Sequence, residues 1–347
     1  MEKTFVRNLS LNQLTEWITS RHQPAYRAKQ LYHWLWNKNI RSIDQINNLP
    51  KSFRTLIEEE LLWDSIQIQN IQQSTDKTIK AAFTLYDSSI VEGVIIPSED
   101  RATACISTQV GCPVRCAFCA TGTMGFLRNL NTGEIIDQIV LLNQLAKEHI
   151  NQHLTNIVIM GMGEPFLNYD HTIKALRILT SPTEMNWSAQ RITLSTVGLP
   201  DAIEQFATEQ LGVSLAVSLH SAIQEKRQQL IPIAKKYPLD QLIKSLKTYT
   251  KISKKPVTIE YLLLNDINDS VKDAQALVRI CSSFHSKVNL IPYNKVEHLP
   301  FKPSDENKIY SFYNYLKVRN IQVRIRKSRG NDIEAACGQL ANKILKK

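Results

Sequence analysis

From about residue 100 onward the chain alternates short β-branched runs with longer amphipathic ones, and this pattern narrows its possible folds more than any other feature. Thr103–Ser107, Ile157–Met160, Arg191–Ser195, Val213–Ser218, Val257–Leu263, Val288–Pro292 and Val323–Ile325 read as strands. Stretches between them, such as Thr132–Glu148 and Leu239–Ile252, carry apolar residues three and four apart and read as helices. Asn131 and Glu134 give the first of these a capping-box start. Strands joined by helical crossovers form a parallel sheet, wound as a barrel or as an open doubly wound sheet. The residues able to do chemistry fall just past the strand ends. A cysteine-rich loop follows the first strand, Gly161-Met-Gly-Glu164 the second, Ser195–Gly198 the third, His220 the fourth and Asn294 the sixth. In a parallel barrel those loops share one mouth, where such a fold places its active site.

Residues 1–75 have a different pattern and read as a small helical accessory domain, with helices over Leu11–Ser20, over Ala25–Trp36 after Pro24, and after Pro50. Trp17, Tyr26, Tyr32, Trp34 and Trp36 suit a core of its own, whereas Arg27, Lys29, Lys38 and Arg41 suit either a solvated face or a phosphate backbone. Residues 76–100 read as a β-hairpin extension, Ala81–Tyr86 and Ser89–Ile96 around Asp87 and Ser88, leading into a core domain of residues 101–347. The net charge is +10, with eleven Lys or Arg against four Asp or Glu from Phe301 onward, which points to a polyanionic partner. No stretch approaches the roughly 20 apolar residues that span a bilayer, and no signal-peptide pattern opens the chain. The expectation is a soluble cytoplasmic protein with no membrane partner, a monomer by default.

Four of the six cysteines, Cys105, Cys112, Cys116 and Cys119, lie within fifteen residues, with Cys281 and Cys337 far downstream. That distribution suits ligation or catalysis in a reducing compartment better than a disulfide framework. Cys281 sits in a predicted helix and reads as core. Gly111-Cys-Pro-Val-Arg-Cys-Ala-Phe-Cys119 spaces three thiolates as CxxxCxxC, which leaves one iron of a four-iron cluster open. A structural zinc site is the competing reading, but it wants four ligands, commonly from paired CxxC knuckles. With aromatic Phe118 before its last cysteine, the loop resembles the signature of the radical S-adenosylmethionine (SAM) superfamily. The resemblance implies an α/β fold with a partial parallel (β/α) barrel. It also implies a 4Fe-4S cluster on Cys112, Cys116 and Cys119, with SAM chelated at the open iron. Gly161-Met-Gly-Glu-Pro165 is similar to the superfamily's glycine-rich segment, which assigns Gly163 and Glu164 to the methionine moiety of SAM. A plain strand-to-helix turn is the alternative.

The chain also resembles, over nearly its whole length, the RlmN family of RNA adenine C2 methyltransferases. The resemblance rests on Gly330-Asn-Asp-Ile-Glu-Ala-Ala-Cys-Gly-Gln-Leu340, on Cys105 seven residues before the cluster loop, on Arg101-Ala-Thr103 and on Gly163-Glu-Pro-Phe-Leu-Asn168. Carbon 2 of adenine is electron-poor and has no lone pair, so it cannot attack a sulfonium methyl directly. The family's route, as the resemblance implies it, methylates the Cys337 thiolate with one SAM and uses a second to make the radical that activates this S-methylcysteine for addition to the ring. Cys105 is then the resolving thiol, forming a disulfide with Cys337, and Glu92 the proton acceptor. A buried apolar-like cysteine and a salt-bridged acid are the plain alternatives. Ser195, Ser218, Leu219, His220 and Asn294 match positions lining the ribose, carboxylate and adenine of SAM. Arg324, Arg326, Lys327 and Arg329 suit RNA phosphates or a solvated face.

The implied activity is C2 methylation of a specific adenosine in 23S rRNA and of the adenosine 3′ of the anticodon in tRNA, fed by a low-potential electron donor of flavodoxin or ferredoxin type. One alternative is the antibiotic-resistance enzyme that methylates carbon 8 of the same ribosomal adenosine. Another, of a different class, is a non-catalytic zinc-stabilised RNA-binding protein.

Overall fold

Three helices make up most of the N-terminal segment. In the computed structural model, which describes residues 4–341, these are α1 (Leu11–Thr19), α2 (Tyr26–Trp36) and α3 (Lys51–Glu60). Ser10 and Gln13 form a reciprocal capping box at α1, and Pro50 stands immediately before α3, where its missing N–H costs nothing. Leu14, Ile18, Leu31, Leu35, Trp36, Phe53 and Ile57 close a core between them. The aromatic set divides: Trp36 is buried, Trp17, Tyr32 and Trp34 are half-buried, and Tyr26, at the first turn of α2, is 58% exposed. Arg41 pairs with Asp64 and Arg27 lies over the Phe53 ring, so both basic side chains are engaged within the chain.

Ten strands form one sheet among the described residues, and their order in space is their order in the chain. They are β1 (Ile66–Gln73), β2 (Ile79–Leu85), β3 (Ile90–Ser98), β4 (Arg101–Cys105), β5 (Asn156–Ile159), β6 (Ile192–Thr196), β7 (Ser214–Ser218), β8 (Val257–Leu263), β9 (Ser286–Pro292) and β10 (Val323–Ile325). β1 to β4 pair antiparallel and β4 to β10 pair parallel. Among the described residues no strand pairs with the outer sides of β1 and β10, so the barrel is open. Ile96 of β3 and Arg326, just past β10, nevertheless line one cavity, which requires the sheet to curl until its two halves face each other. All seven strands expected of the parallel region are present. β8 shows why: only Thr258 in it escapes full burial, the near-continuous apolar run of a strand covered on both faces.

Helices α4 (Thr132–Ile150), α5 (Tyr169–Thr180), α6 (Pro200–Thr208), α7 (Gln224–Leu230), α8 (Leu239–Ser253), α9 (Val271–Cys281) and α10 (Glu306–Lys317) fill the crossovers. The Asn131/Glu134 box is formed at α4. Two sequence expectations shift. The sheet starts at Ile66, inside the segment read as helical, and the alternation Ile66-Gln-Ile-Gln69 was its signal. The hairpin turn holds Ser88 at φ +65, between strands longer than expected. Arg7 locks the helical segment to α4: its buried guanidinium pairs with Asp137 of that helix at 2.8 Å and donates to Leu35 O and Ile40 O at 2.9 Å each. Among the described residues no helix is long and apolar enough to cross a membrane.

Candidate active site

A cavity of about 230 Å3 opens at the C-terminal ends of the parallel strands, and most of the expected site residues line it. The cysteine loop forms one wall. Gly111, at φ +74, begins it, and a Cβ there would sit 2.0 Å from Gly125 O, so only glycine fits. Cys112 N–H donates to Gly125 O and Ala117 N–H to Leu230 O at the end of α7, which pins the loop at both flanks. Backbone N–H groups of Val114 and Arg115 are directed at the Cys112 sulfur, and those of Gly122 and Thr121, with the Thr121 hydroxyl, at Cys119. Such donors favour thiolates against the burial that pushes Cys112 up to about 12. Zinc needs its donors converging on one point, and among the described residues no three His, Cys, Asp or Glu side chains do so. Three half-buried thiols on one loop, two of them with N–H partners, would supply ligands to three irons of a 4Fe-4S cluster and fall short of the four ligands a structural zinc takes.

Opposite the loop stands the glycine-rich turn. Gly163 is at φ +106, and a Cβ on it would lie 2.7 Å from Gln109 Cβ. Glu164 is buried, and its carboxylate accepts from Thr196 Oγ1 at 2.7 Å, Val197 N–H at 2.7 Å and Phe166 N–H at 3.0 Å. Burial lifts it to about 7, these three donors opposing. Ser195 and Ser218, at the ends of β6 and β7, bring their hydroxyls within 3.5 Å of each other. His220, at φ +55, accepts Leu262 N–H at Nδ1, which leaves the proton on Nε2, and its ring meets Phe118 edge-on at 4.8 Å. Burial and then the charge of Arg227 hold its pKa down at about 3, so the ring is neutral. Leu219, between Ser218 and His220, packs into the core and is not part of the cavity wall.

The C-terminal segment straps across this mouth. Ala120 N–H donates to Gly338 O, Thr121 Oγ1 to Leu340 O, Asn294 Nδ2 to Cys337 O and Gln339 Nε2 to Lys295 O. Its other end is tied to the β1–β2 turn, with Asp332 accepting from Ser74 and Thr75, and Asp76 from Gly330 N–H. Cys337 is thereby held exposed on the cavity wall, facing the same space as Cys105 at the end of β4. Cys105 is 7% exposed; burial and the charge of Cys337 push its thiol up to about 12. Arg326, on the same wall, lies within the field of both sulfurs and 3.5 Å from Glu260.

Glu92 is not on the wall. It is buried one layer behind, 3.7 Å from Lys80, with one carboxylate oxygen accepting Ala341 N–H from the strap. Val94 pairs with Cys105, so Glu92, two residues back along β3, faces the same side of the sheet as that thiol. Burial outweighs Lys80 and lifts the carboxyl to about 7.

Sequence reasoning missed Thr196 and Gln109, which hold Glu164 by its carboxylate and its N–H, and Arg227 behind the loop. A second, polar cavity also escaped it. Of about 420 Å3, it opens at the other end of the strands and is ringed by Arg101, Arg191, Arg324, Arg326, Lys327 and Arg329, with Glu260 the only acid among the described residues that line it. It shares Ile96, Met160, Glu260, Arg326, Lys327 and Arg329 with the first cavity. Its first three arginines come from three separate strand starts, so no local run of sequence shows them together.

Residues 106–278 match the model of the radical SAM superfamily, and residues 6–62 that of the ribosomal RNA large subunit methyltransferase N-terminal domain. A probable dual-specificity RNA methyltransferase RlmN of Flavobacterium johnsoniae is 42% identical over 99% of this chain and 98% of its own length. One of the same description from a Thermotoga species is 44% identical over 98% of each. The crystal structure of a radical SAM methyltransferase from Sphaerobacter thermophilus superposes with a TM-score of 0.93 at 40% identity, covering 97% of this chain and 99% of that one. With identity of this order running from the N-terminal helices through the cysteine loop to the strap, the chain belongs to the RlmN family of radical SAM methyltransferases.

Proposed function

We propose that this chain is a cytoplasmic, monomeric methyltransferase that places a methyl group on carbon 2 of an adenosine in 23S rRNA and of the adenosine 3′ of the anticodon in tRNA. The observation that carries the reading is that Cys105 and Cys337, remote in sequence and outside the cysteine loop, open onto the cavity that the loop walls. Bound together, a 4Fe-4S cluster on Cys112, Cys116 and Cys119 and SAM supply a carbon radical, given one electron from a flavodoxin- or ferredoxin-type donor.

The chain's own residues account for the rest. Glu164 receives the SAM ammonium on a carboxylate already fixed by three donors, and Ser195, Ser218, His220 Nε2–H and Asn294 supply polar contacts around its ribose, carboxylate and adenine. Exposed Cys337 carries the methyl group between SAM and RNA. Cys105, its thiol pushed up to about 12, stays protonated at neutral pH. To release product it loses its proton and attacks the Cys337 sulfur. The C–S electron pair leaves on the RNA methyl carbon, which takes up a proton, and the resulting disulfide is reduced before the next cycle. Glu92, near half-ionised at neutrality, suits the proton acceptor, and the strap must release its carboxylate first.

The cation-ringed second cavity and an N-terminal accessory domain of residues 1–75, helical up to Glu60 and reaching the sheet from Ile66, support an RNA partner whose loop bases can be splayed into a pocket. Nucleoside mass spectrometry of rRNA and tRNA from cells with and without the gene tests the assignment. Loss of 2-methyladenosine from both RNAs on deletion is expected, and an unchanged level in both refutes it.

A further inference from the structure

Arg227 of α7 is 1% exposed, and no acid among the described residues pairs with it. Nη2 donates to Val197 O at 2.5 Å, whereas Nε and Nη1, equally buried, meet no acceptor. A guanidinium taken out of water with two donors unused is strongly destabilising unless an anion completes it. Among the described residues, the ionisable group that attracts it is Cys116. α7 also ends on the cysteine loop, Leu230 O accepting Ala117 N–H at 2.9 Å, so helix and loop form one fixed corner. Arg227 is absent from the cavity lining, whereas Cys116 belongs to it, which places the guanidinium behind the loop.

We propose that Arg227 is a positioning residue for the iron-sulfur cluster, its two free N–H groups directed at the Cys116 thiolate and adjoining sulfide, and that its fixed charge raises the cluster's reduction potential. The inference rests on the reading that the loop holds a 4Fe-4S cluster. Reduction brings one electron from the donor and moves no proton at Arg227. The added negative charge is stabilised by a cation held in a dry setting where fields are weakly screened. Arg227 then lowers the demand on the electron donor without touching any reactant.

The test is an EPR-monitored redox titration of the anaerobically purified, cluster-loaded full chain without SAM, on wild type, Arg227→Met, Arg227→Gln and Arg227→Lys. The two neutral variants are expected to lower the equilibrium constant for reduction at least tenfold, a negative midpoint shift of about 59 mV or more for a one-electron couple. Arg227→Lys, which keeps the charge, stays within threefold of wild type. If Arg227→Met takes up too little iron to titrate, the glutamine and lysine variants carry the comparison. Midpoints that match wild type at full iron and sulfide content overturn the inference, and so does an unchanged midpoint with weakened SAM binding, which would put the guanidinium on the SAM carboxylate. Wild-type protein containing zinc and no iron overturns the underlying reading instead, a separate result.

Discussion

Replacing Glu92 with glutamine keeps the shape of the side chain and its acceptor for Ala341 N–H, but removes a charge from a site that is 3% exposed. Burial, only partly countered by Lys80, lifts this carboxyl from 4.5 to about 7. A raised carboxyl pKa means that, between those two values, the folded chain holds a proton the unfolded chain has released. Stability therefore falls as pH climbs through that window and levels off above about 7. The shift is worth roughly 3 kcal/mol in full at about 1.4 kcal/mol per unit, of which about 2 kcal/mol falls between pH 5.5 and pH 8. Lys80 faces a neutral group both in protonated wild type and in the variant, so the difference between the two proteins isolates Glu92. Urea denaturation followed by tryptophan fluorescence should show the advantage of Glu92→Gln growing by that amount from pH 5.5 to pH 8. Turnover should fall by about 10²- to 10⁴-fold, the usual contribution of a positioned base, while methylation of Cys337 is unaffected. Stability curves that stay parallel across this range refute the buried-charge argument. Normal turnover in the variant refutes the base.

Three further outcomes follow from the geometry. Gly163→Ala puts a Cβ 2.7 Å from Gln109 Cβ at φ +106, and Gln109 is itself held by Glu164 N–H and Asn129. Roughly 2 kcal/mol of strain is expected, read as a lower melting temperature and about tenfold weaker SAM binding in equilibrium dialysis. Cys105→Ala should accumulate protein crosslinked to RNA on denaturing gels and Cys337→Ala should form none; an adduct in the latter would put the methyl carrier elsewhere. Arg7→Met leaves Asp137 buried without its cation and should cost about 3–5 kcal/mol in urea denaturation, with Arg7→Met/Asp137→Asn recovering part of it.

The parallel strands were legible because each is a short apolar run bounded by turn residues, and the cysteine loop because its three ligands and aromatic lie within one stretch of chain. Positions at strand ends were legible as a group, since parallel topology sends them all to one mouth. What stayed hidden depends on contacts remote in sequence. Glu92 could be picked out as an acid in an apolar strand, but not its place behind a strap contributed by Ala341. Arg227 looks like any basic residue of a short helix until α7 is seen to end on Ala117. The cationic cavity assembles Arg101, Arg191 and Arg324 from three strands. Tyr26 was misplaced because composition marks an aromatic residue as core without saying which side of the helix it occupies.

The most direct measurement is the identity of the nucleoside made by the purified, cluster-loaded chain when SAM, a reductant and 23S rRNA or tRNA are supplied under anaerobic conditions. Mass spectrometry of the digested RNA should show 2-methyladenosine, absent when either Cys337 or the reductant is missing. 8-methyladenosine, or 2-methyladenosine formed without Cys337, would contradict the account.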